Sequence, residues 1–463
     1  MLVTDSGHHD SEVVGQLIDD AVAEFTAAGV GPGTAVVLCL PNDVRWVAAY
    51  LALARIGAVS VPLNAGSAIN EIAHVLEDSG ARLVLVPASM AAVLADRFPD
   101  RLFWPDGMAT EARMSPGPDC PDEVATIAYT SGTTGRPRGV LQTRRAVTLG
   151  GRGMAERLRL TTGDVVLTAL PLAHSYGTNV LNAALVSGAT VVVLPRFDEA
   201  HFVDTAHRCG ATVLAGVPTM YRRLLARPAA SMPSLRCVVS AGQSAGADLA
   251  LEWERSMGGA FVEGWGMTEL AGFATLAAPD LPGRHGSVGT AVPGVRLRAD
   301  TDGPFGDAGT GELCVAGPMV TPGHLGAADP VTGDGWLRTG DLGSIGADGL
   351  VRIVGRTKEI VLSGGFSVYP AEVERVVARH PDVADVAVAG LPDPVRGEIT
   401  CAWIVPRAGA RLTVARIAEF CRPHLAGYKV PRQIVVVPEL PLSSTGKLLR
   451  RELPAPRAVG APT

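Results

Sequence analysis

Short apolar runs alternate with longer amphipathic stretches over residues 11–260. The runs AVVLCL (35–40), VSVPL (59–63), RLVLV (82–86), DVVLTAL (164–170), TVVVLP (190–195), ATVLAG (211–216) and RCVVSA (236–241) predict buried strands. WVAAYLALARIG and EIAHVLEDSG predict helices between them. That rhythm implies parallel sheets covered by helices. After Gly286 the texture changes to glycine-rich turns and short strands. ELCVAG and the hairpin SIGADGLVRIVG, with its Asp348 and Gly349 turn, predict a smaller antiparallel or barrel-like part. From Lys358 onward the order is helix (PAEVERVVARH), strand (DVAVAG), strand (ITCAWIV), helix (RIAEFCRPHL) and strand (QIVVVP), a compact α+β unit. The expected fold class is therefore α/β. A large N-terminal domain of helix-covered sheets plus a barrel-like part (1–357) is followed by a small α+β domain (358–463).

Composition narrows the partners. The 463 residues are 47% hydrophobic and 19% charged, enough for large cores and unlike a disordered chain. A net charge of -6 argues against general nucleic-acid binding and leaves room for a local basic site for phosphates. The seven cysteines are scattered without a CxxC pair, which fits reduced thiols in a cytoplasmic protein. The opening MLVTDSGHHDSE lacks the apolar core of a signal peptide. The most apolar early stretch, 47–63, is interrupted by Arg55, Gly57 and Pro62, so it reads as a buried helix and strand and not as a membrane span. The histidines show no metal-ligand spacing; His201 and His207 share a helix without the i, i+4 relation. Trp46, Trp253, Met154 and Met220 read as core, and Asp393 and Glu398 as turn-capping or solvated carboxylates before a catalytic pair.

YTSGTTGRPRG (129–139) is the densest chemical signal. It follows the apolar strand ATIAYT and places Thr130, Ser131, Gly132, Thr133, Thr134, Gly135, Arg136 and Arg138 in one loop. Glycines let backbone approach an anion, hydroxyls and N–H groups donate to phosphate oxygens, and arginines offset charge. No Gly-Lys-[Ser/Thr] follows, so it is not a Walker A loop.

This loop resembles the phosphate loop of the adenylate-forming superfamily, which includes acyl-CoA synthetases, peptide-synthetase adenylation domains and beetle luciferases. Arg138 stands where that pattern has lysine in Pro-Lys-Gly, which keeps the charge and changes the geometry. PLAHSYG (171–177) resembles the segment whose histidine, His174 here, borders the acyl pocket. GWGMTE (264–269) resembles the adenine and magnesium motif: Gly264, Trp265, Gly266 and Met267 near the base, Thr268 at the α-phosphate and Glu269 on Mg²⁺. TGD (339–341) implies Asp341 on the ribose hydroxyls. GRTKEIVLSGGFSVYP (355–370) resembles the hinge and thiolation segment, with Arg356 near the ribose, Lys358 at the hinge, and Gly364 and Gly365 lining a thiol tunnel. STGKLLR (444–450) resembles the loop whose lysine, Lys447, reaches carboxylate and phosphate. HPDVADVAVAGLPDPVRGE and GYKVPR are similar to segments of stand-alone acyl-CoA ligases. The motifs run in order over nearly the whole chain.

The resemblance implies a mobile C-terminal domain, ATP with Mg²⁺, and a small-molecule acid as substrate. It implies coenzyme A as first acceptor and a carrier protein as second. SAGQ resembles the SAGE loop of benzoate-type ligases, which points to an aromatic or other compact acid. Family members usually carry an extra N-terminal stretch before the helix that precedes AAGVGPG, so packing by a partner subunit, or its absence, is expected there. Apart from a degenerate, non-catalytic binding protein, against which intact Glu269, Asp341 and Lys447 argue, two other readings stand beside it. One is adenylation of an unusual acid, nitrite included, with a non-thiol acceptor. The other is a serine esterase, because Gly242-Gln243-Ser244-Ala245-Gly246 matches G-x-S-x-G between a strand and a helix. The superfamily gives Gly242, Gln243 and Ser244 another job, lining the adenine and acyl pocket.

Overall fold

The apolar runs fold as the strands their composition demands. The computed structural model describes residues 1–5, 7–110, 120, 123–130, 137–227, 232–301, 309–326, 331, 334–363, 366–442 and 448–456. The chain divides into two compact units, Met1–Leu297 with Val315–Leu337, and Arg298–Cys314 with Arg338–Thr463. This division by contacts falls upstream of Lys358.

Two sheets organise the first unit. One has six strands in the order Leu102–Pro105, Leu83–Val86, Ala35–Leu38, Val59–Pro62, Val124–Thr130, Arg138–Thr143. Its first five strands are mutually parallel, and the last two form an antiparallel hairpin. Val37, Val59, Val61, Val84 and Val86 fill one core with Ile72, Val75 and Leu76 of the helix Ile69–Ser79. Nine strands make the other sheet, in the order Thr290–Ala291, Gly272–Leu276, Ala260–Met267, Cys237–Ser240, Val213–Gly216, Val165–Thr168, Thr190–Val193, Leu2–Thr4, Gly7–His9. Its interior is parallel, as continuous valine-rich strands require, and its edges are antiparallel. Trp46 and Trp253 are fully buried, as expected of core residues.

The opening residues depart from the sequence pattern. Leu2–Thr4 pairs in parallel with Thr190–Val193, and Gly7–His9 folds back antiparallel on it. Leu2 and Val3 are buried, and His201 Nε2 lies 2.9 Å from Asp5 Oδ1. The strand exists because a longer partner offers it an edge, which no local pattern records.

A four-stranded sheet follows in the order Arg296–Asp300, Gly311–Ala316, Leu337–Ile345, Val351–Arg356. The last two strands form the expected hairpin. Gly349 (φ 78°) takes the left-handed turn position, and Leu350 N–H is capped by Asp348 Oδ1 at 3.1 Å. Further on, Phe366–Val368, Val361–Ser363, Gly397–Pro406 and Val383–Asp393 form a sheet in that order, with Gln433–Val436 parallel to Gly397–Pro406. Val373 of the helix Pro370–Val377 and Ile417 of the helix Val414–Cys421 close its core with Val361, Val388 and Ile404. Asp393 Oδ1 caps the turn N–H groups of Val395 and Arg396. No disulfide joins any of the seven cysteines, and among the described residues no helix is long and apolar enough to cross a membrane.

Candidate active site

The phosphate-loop motif is the connection of a β-hairpin. Its stem ends in the cross-strand pairs Tyr129↔Gly139 and Thr130↔Arg138. Ser131, Gly132, Thr133, Thr134 and Gly135 lie outside the described residues. Arg138 begins the outgoing strand and is exposed.

Beyond the stem, the outgoing strand binds a second backbone. Leu325 N–H donates to Gly139 carbonyl at 2.8 Å, and Leu141 N–H to Gly323 carbonyl at 3.0 Å. Thr321, in this partner segment, donates from its hydroxyl to Leu141 carbonyl at 2.6 Å and from its N–H to Glu269 carbonyl at 2.7 Å. Gln142, one residue past Leu141, is buried. Its Nε2 donates to Thr268 carbonyl at 2.7 Å and to Ser175 Oγ at 2.9 Å. Two successive carbonyls, those of Thr268 and Glu269, are thus pinned by two adjoining segments. The Gln142 contacts gather the strand of the phosphate loop, the His174 segment and the Thr268–Glu269 turn into one assembly.

GWGMTE runs out of the strand Ala260–Met267 into a single 3₁₀ turn, Thr268–Leu270. The pairing with Gly272–Leu276 slips at Trp265/Gly266, a bulge that re-aims the end of the strand. Gly266 is required by backbone approach, because a Cβ there would lie 2.0 Å from Gly272 carbonyl oxygen. Trp265 is buried. The Glu269 carboxylate, only 17% exposed, lies 3.6 Å from His324 Nε2. Glu263, on the same strand, is buried and accepts Ala245 N–H at 2.8 Å, fixing the loop that carries Gly242, Gln243 and Ser244. Ser244 is exposed and hydrogen-bonds no histidine among the described residues, so the elbow lacks the base a serine nucleophile needs.

His174 precedes the helix Ser175–Ser187. Its Nε2 is buried without a hydrogen-bond partner among the described residues, and burial holds the ring below the ordinary histidine pKa. Tyr176, two residues on, donates to Val239 carbonyl at 2.9 Å at the carboxyl ends of the parallel strands, and its ring meets Phe273 edge-on at 5.3 Å. Open α/β sheets bind ligands at that end of their strands. Gln142, Tyr176, Glu263, Thr321 and His324 were not singled out in the sequence. Only Gln142 has a local signal, a polar residue in phase with buried Val140 on a strand.

Within the second unit, Asp341 and Arg356 are cross-strand partners. Arg356 Nε lies 2.7 Å from Oδ1 of the buried Asp341. Gly340 N–H donates to Glu312 Oε1 at 3.0 Å, which sets the turn before Asp341. Lys358 sits exposed on the 3₁₀ turn Thr357–Glu359. Gly364, Gly365 and Lys447 lie outside the described residues. The lysine loop is nevertheless closed by a described stem, the Leu442↔Leu448 bridge and the 2.9 Å bond from Leu449 N–H to Pro441 carbonyl.

Comparison with known proteins agrees over both units. Residues 17–325 match the AMP-binding enzyme family and residues 372–447 the AMP-binding enzyme C-terminal domain. Feruloyl-CoA synthase of Amycolatopsis sp. is 35% identical over 442 residues, covering 92% of this chain and 89% of that protein. Sulfoacetate–CoA ligase of Cupriavidus necator is 35% identical over 480 residues, covering 98% and 94%. The ATP-bound crystal structure of MatB from Rhodopseudomonas palustris superposes with a TM-score of 0.89 at 30% identity, covering 98% of this chain and 94% of that one. MenE, the o-succinylbenzoate CoA synthetase of Bacillus subtilis, solved with its acyl-adenylate, gives 0.86 at 28% identity, covering 98% and 95%. The chain belongs to the AMP-binding enzyme family, as an acid–thiol ligase of the adenylate-forming superfamily.

Proposed function

We propose that the protein activates an aromatic or other compact carboxylic acid with ATP, releases pyrophosphate, and passes the acyl group from the acyl-adenylate to coenzyme A. The observation that carries this reading is the double contact of Gln142. It places the phosphate-loop strand, the His174 segment and the Thr268–Glu269 turn in one rigid assembly.

A carboxylate resists attack because its leaving group is oxide or hydroxide. Transfer of its oxygen to the α-phosphorus of ATP makes AMP the leaving group and breaks the bond to pyrophosphate. That step brings two anions together and needs donors and positive charge at the α-phosphate. Thr268 supplies a hydroxyl there, Lys447 a cation, and the loop from Thr130 to Arg138 cradles the departing pyrophosphate. Gly242, Gln243, Ser244, Gly264, Trp265, Gly266 and Met267 enclose the base, while Asp341 and Arg356 bind the ribose.

Among the described residues no group of three or more His, Cys, Asp or Glu side chains is arranged to hold a metal. A single carboxylate suits an ion that arrives with its nucleotide, since Mg²⁺ takes one or two carboxylates and fills the rest of its shell with phosphate and water. Glu269, largely shielded from solvent, fits that part. Mg²⁺ held there would neutralise phosphate charge.

The thiol then attacks the acyl carbon and AMP leaves. His174, neutral and shielded, borders this approach. In this reading the C-terminal domain, residues 358–463, turns about Lys358, withdrawing Lys447 and presenting Gly364 and Gly365, whose lack of side chains leaves room for a narrow pantetheine arm. A carrier protein is the second acceptor to test, and the cytoplasm, with its ATP and reduced thiols, is the expected compartment.

The test is an acid screen by ATP–pyrophosphate exchange, with and without coenzyme A. Exchange stimulated by one class of compact acid, with thioester forming on addition of coenzyme A, supports the reading. Exchange without any thioester moves the acceptor elsewhere. Ester hydrolysis lost in Ser244→Ala, with no exchange, overturns it.

A further inference from the structure

Just outside the family motifs, the helix Ile69–Ser79 touches both ends of the phosphate loop. His74 Nε2 lies 3.0 Å from Pro137 carbonyl oxygen, at the outgoing end of the loop. Asp78 Oδ2 accepts from Tyr129 hydroxyl at 2.7 Å, immediately before it. A carbonyl only accepts, so His74 Nε2 carries the proton. We propose that His74 and Asp78 are positioning residues that clamp the two ends of the phosphate loop and thereby set it on the β- and γ-phosphates of ATP. The proposal rests on the reading of residues 130–138 as that loop.

Several observations converge on the clamp. His74 and Asp78 are four residues apart and share one helix face. That helix is a fixed base: Ile72, Val75 and Leu76 are buried in the core of the six-stranded sheet, and Glu71 Oε2 accepts Ala68 N–H at its start at 2.8 Å. The Tyr129 ring also stands edge-on to His74 at 6.4 Å, so both grips belong to one cluster. Gly139, the cross-strand partner of Tyr129, makes room for it. A Cβ at Gly139 would lie 3.2 Å from Tyr129 Cζ and 2.7 Å from Ile127 Cγ2. The last glycine of the motif therefore lets the tyrosine lie over the strand on its way to the helix. Burial first, and then the Asp78 carboxylate, push the Tyr129 hydroxyl above its ordinary pKa, so it remains a donor at neutral pH.

The physical purpose is preorganisation. Ordering a segment of chain around phosphate costs conformational entropy, which opposes binding. Fixing both ends removes part of that opposition without touching the nucleotide. The clamp should therefore serve the β- and γ-phosphates and be indifferent to AMP, which has neither.

The experiment uses the full chain and measures affinity by calorimetry for α,β-methylene-ATP, pyrophosphate and AMP. Tyr129→Phe, Asp78→Leu and His74→Leu should each weaken the ATP analogue and pyrophosphate roughly tenfold, one hydrogen bond's net worth. AMP binding should be unchanged. Asp78→Asn keeps an acceptor and His74→Gln keeps a donor, so both should restore most of the affinity. Tyr129→Phe combined with Asp78→Leu should be no worse than either alone, because both remove the same bond. Equal weakening of AMP and of the ATP analogue would show a merely structural helix and overturn the clamp, as would rescue variants as poor as the leucine ones. A wild-type chain that binds neither nucleotide would instead remove the ATP reading itself, and the clamp with it.

Discussion

Gln142 Nε2 donates to Thr268 carbonyl at 2.7 Å, across 126 residues of sequence. The same nitrogen reaches Ser175 Oγ, next to His174. A buried amide placed this way sets the turn that aims Thr268 and Glu269. Replacing it with an apolar side chain removes both hydrogen bonds and leaves Thr268 carbonyl only the 3.1 Å bond from Ala271 N–H, a loss of about 1–3 kcal/mol for the two bonds. Gln142→Leu should slow pyrophosphate exchange about tenfold to a hundredfold, the rate equivalent of that energy if it falls on the transition state. Unchanged exchange in a folded Gln142→Leu protein would show that the turn holds its place without it.

His174 makes a pH prediction with a definite sign. Its native pKa lies below the ordinary value because burial disfavours the charged ring. As pH falls through about 6.5, the unfolded chain therefore takes up a proton that the native chain refuses. The contribution to stability is complete above that pH and declines below it, until the native ring itself protonates. In urea titrations His174→Phe should lose less stability between neutral pH and mildly acidic pH than wild type. An NMR titration of the His174 ring with its midpoint at or above 6.5 would contradict the buried, neutral assignment.

Arg138 occupies the lysine position of the family pattern, opposite Thr130 at the mouth of the loop and exposed to solvent. In the proposed reading that position supplies charge near the β- and γ-phosphates, so Arg138→Lys should keep most activity. Arg138→Ala should weaken ATP use by roughly 1.5–3 kcal/mol, the worth of one charged hydrogen bond. The measurement is KM for ATP in the exchange assay. An alanine variant with unchanged ATP kinetics would place the guanidinium away from the phosphates.

Much of the fold is legible in the sequence because parallel strands buried on both faces must be continuously apolar, and residues 35–40, 191–194 and 237–239 are. The strand Leu2–Thr4 is not legible. It has three residues in a polar stretch, and its stability comes from the edge of Thr190–Val193, far along the chain. The site divides in the same way. Its phosphate loop and the GWGMTE and TGD segments announce themselves by composition and order, since each needs particular donors at fixed spacing. What holds them together does not, because a glutamine in a strand and a threonine before Pro322 acquire meaning only from partners remote in sequence, 126 and 180 positions away at the farthest. Gln142 came nearest to being readable: Val140 and Gln142 share a buried face two residues apart, where an apolar side chain is the norm.

The last prediction separates the two half-reactions in one chain. Lys447 is expected to act only while the carboxylate attacks ATP, when its charge offsets two approaching anions. The foot of its loop is firm: beyond the Leu442↔Leu448 bridge, Arg450 places Nη1 2.8 Å from Glu374 Oε1 and Nε 3.1 Å from Glu359 Oε2. Lys447→Ala should cut adenylation by about 3–5 kcal/mol if it behaves as other charge stabilisers do. Given synthetic acyl-adenylate, the same variant should still load coenzyme A, because the lysine has no part in thiol attack. Arg450→Lys keeps the charge but loses the planar fork that spans both carboxylates, so it should lower adenylation more than transfer. If Gly365 lines the thiol path and Lys358 is the hinge, as proposed, Gly365→Leu and Lys358→Pro should do the reverse, sparing exchange and blocking thioester formation. Paired assays on each purified variant, pyrophosphate exchange and transfer from the adenylate, read the split directly. Equal damage to both steps in Lys447→Ala, or loss of exchange in Gly365→Leu, rules out alternation between two working arrangements, because that scheme requires each loop to serve one step and leave the other.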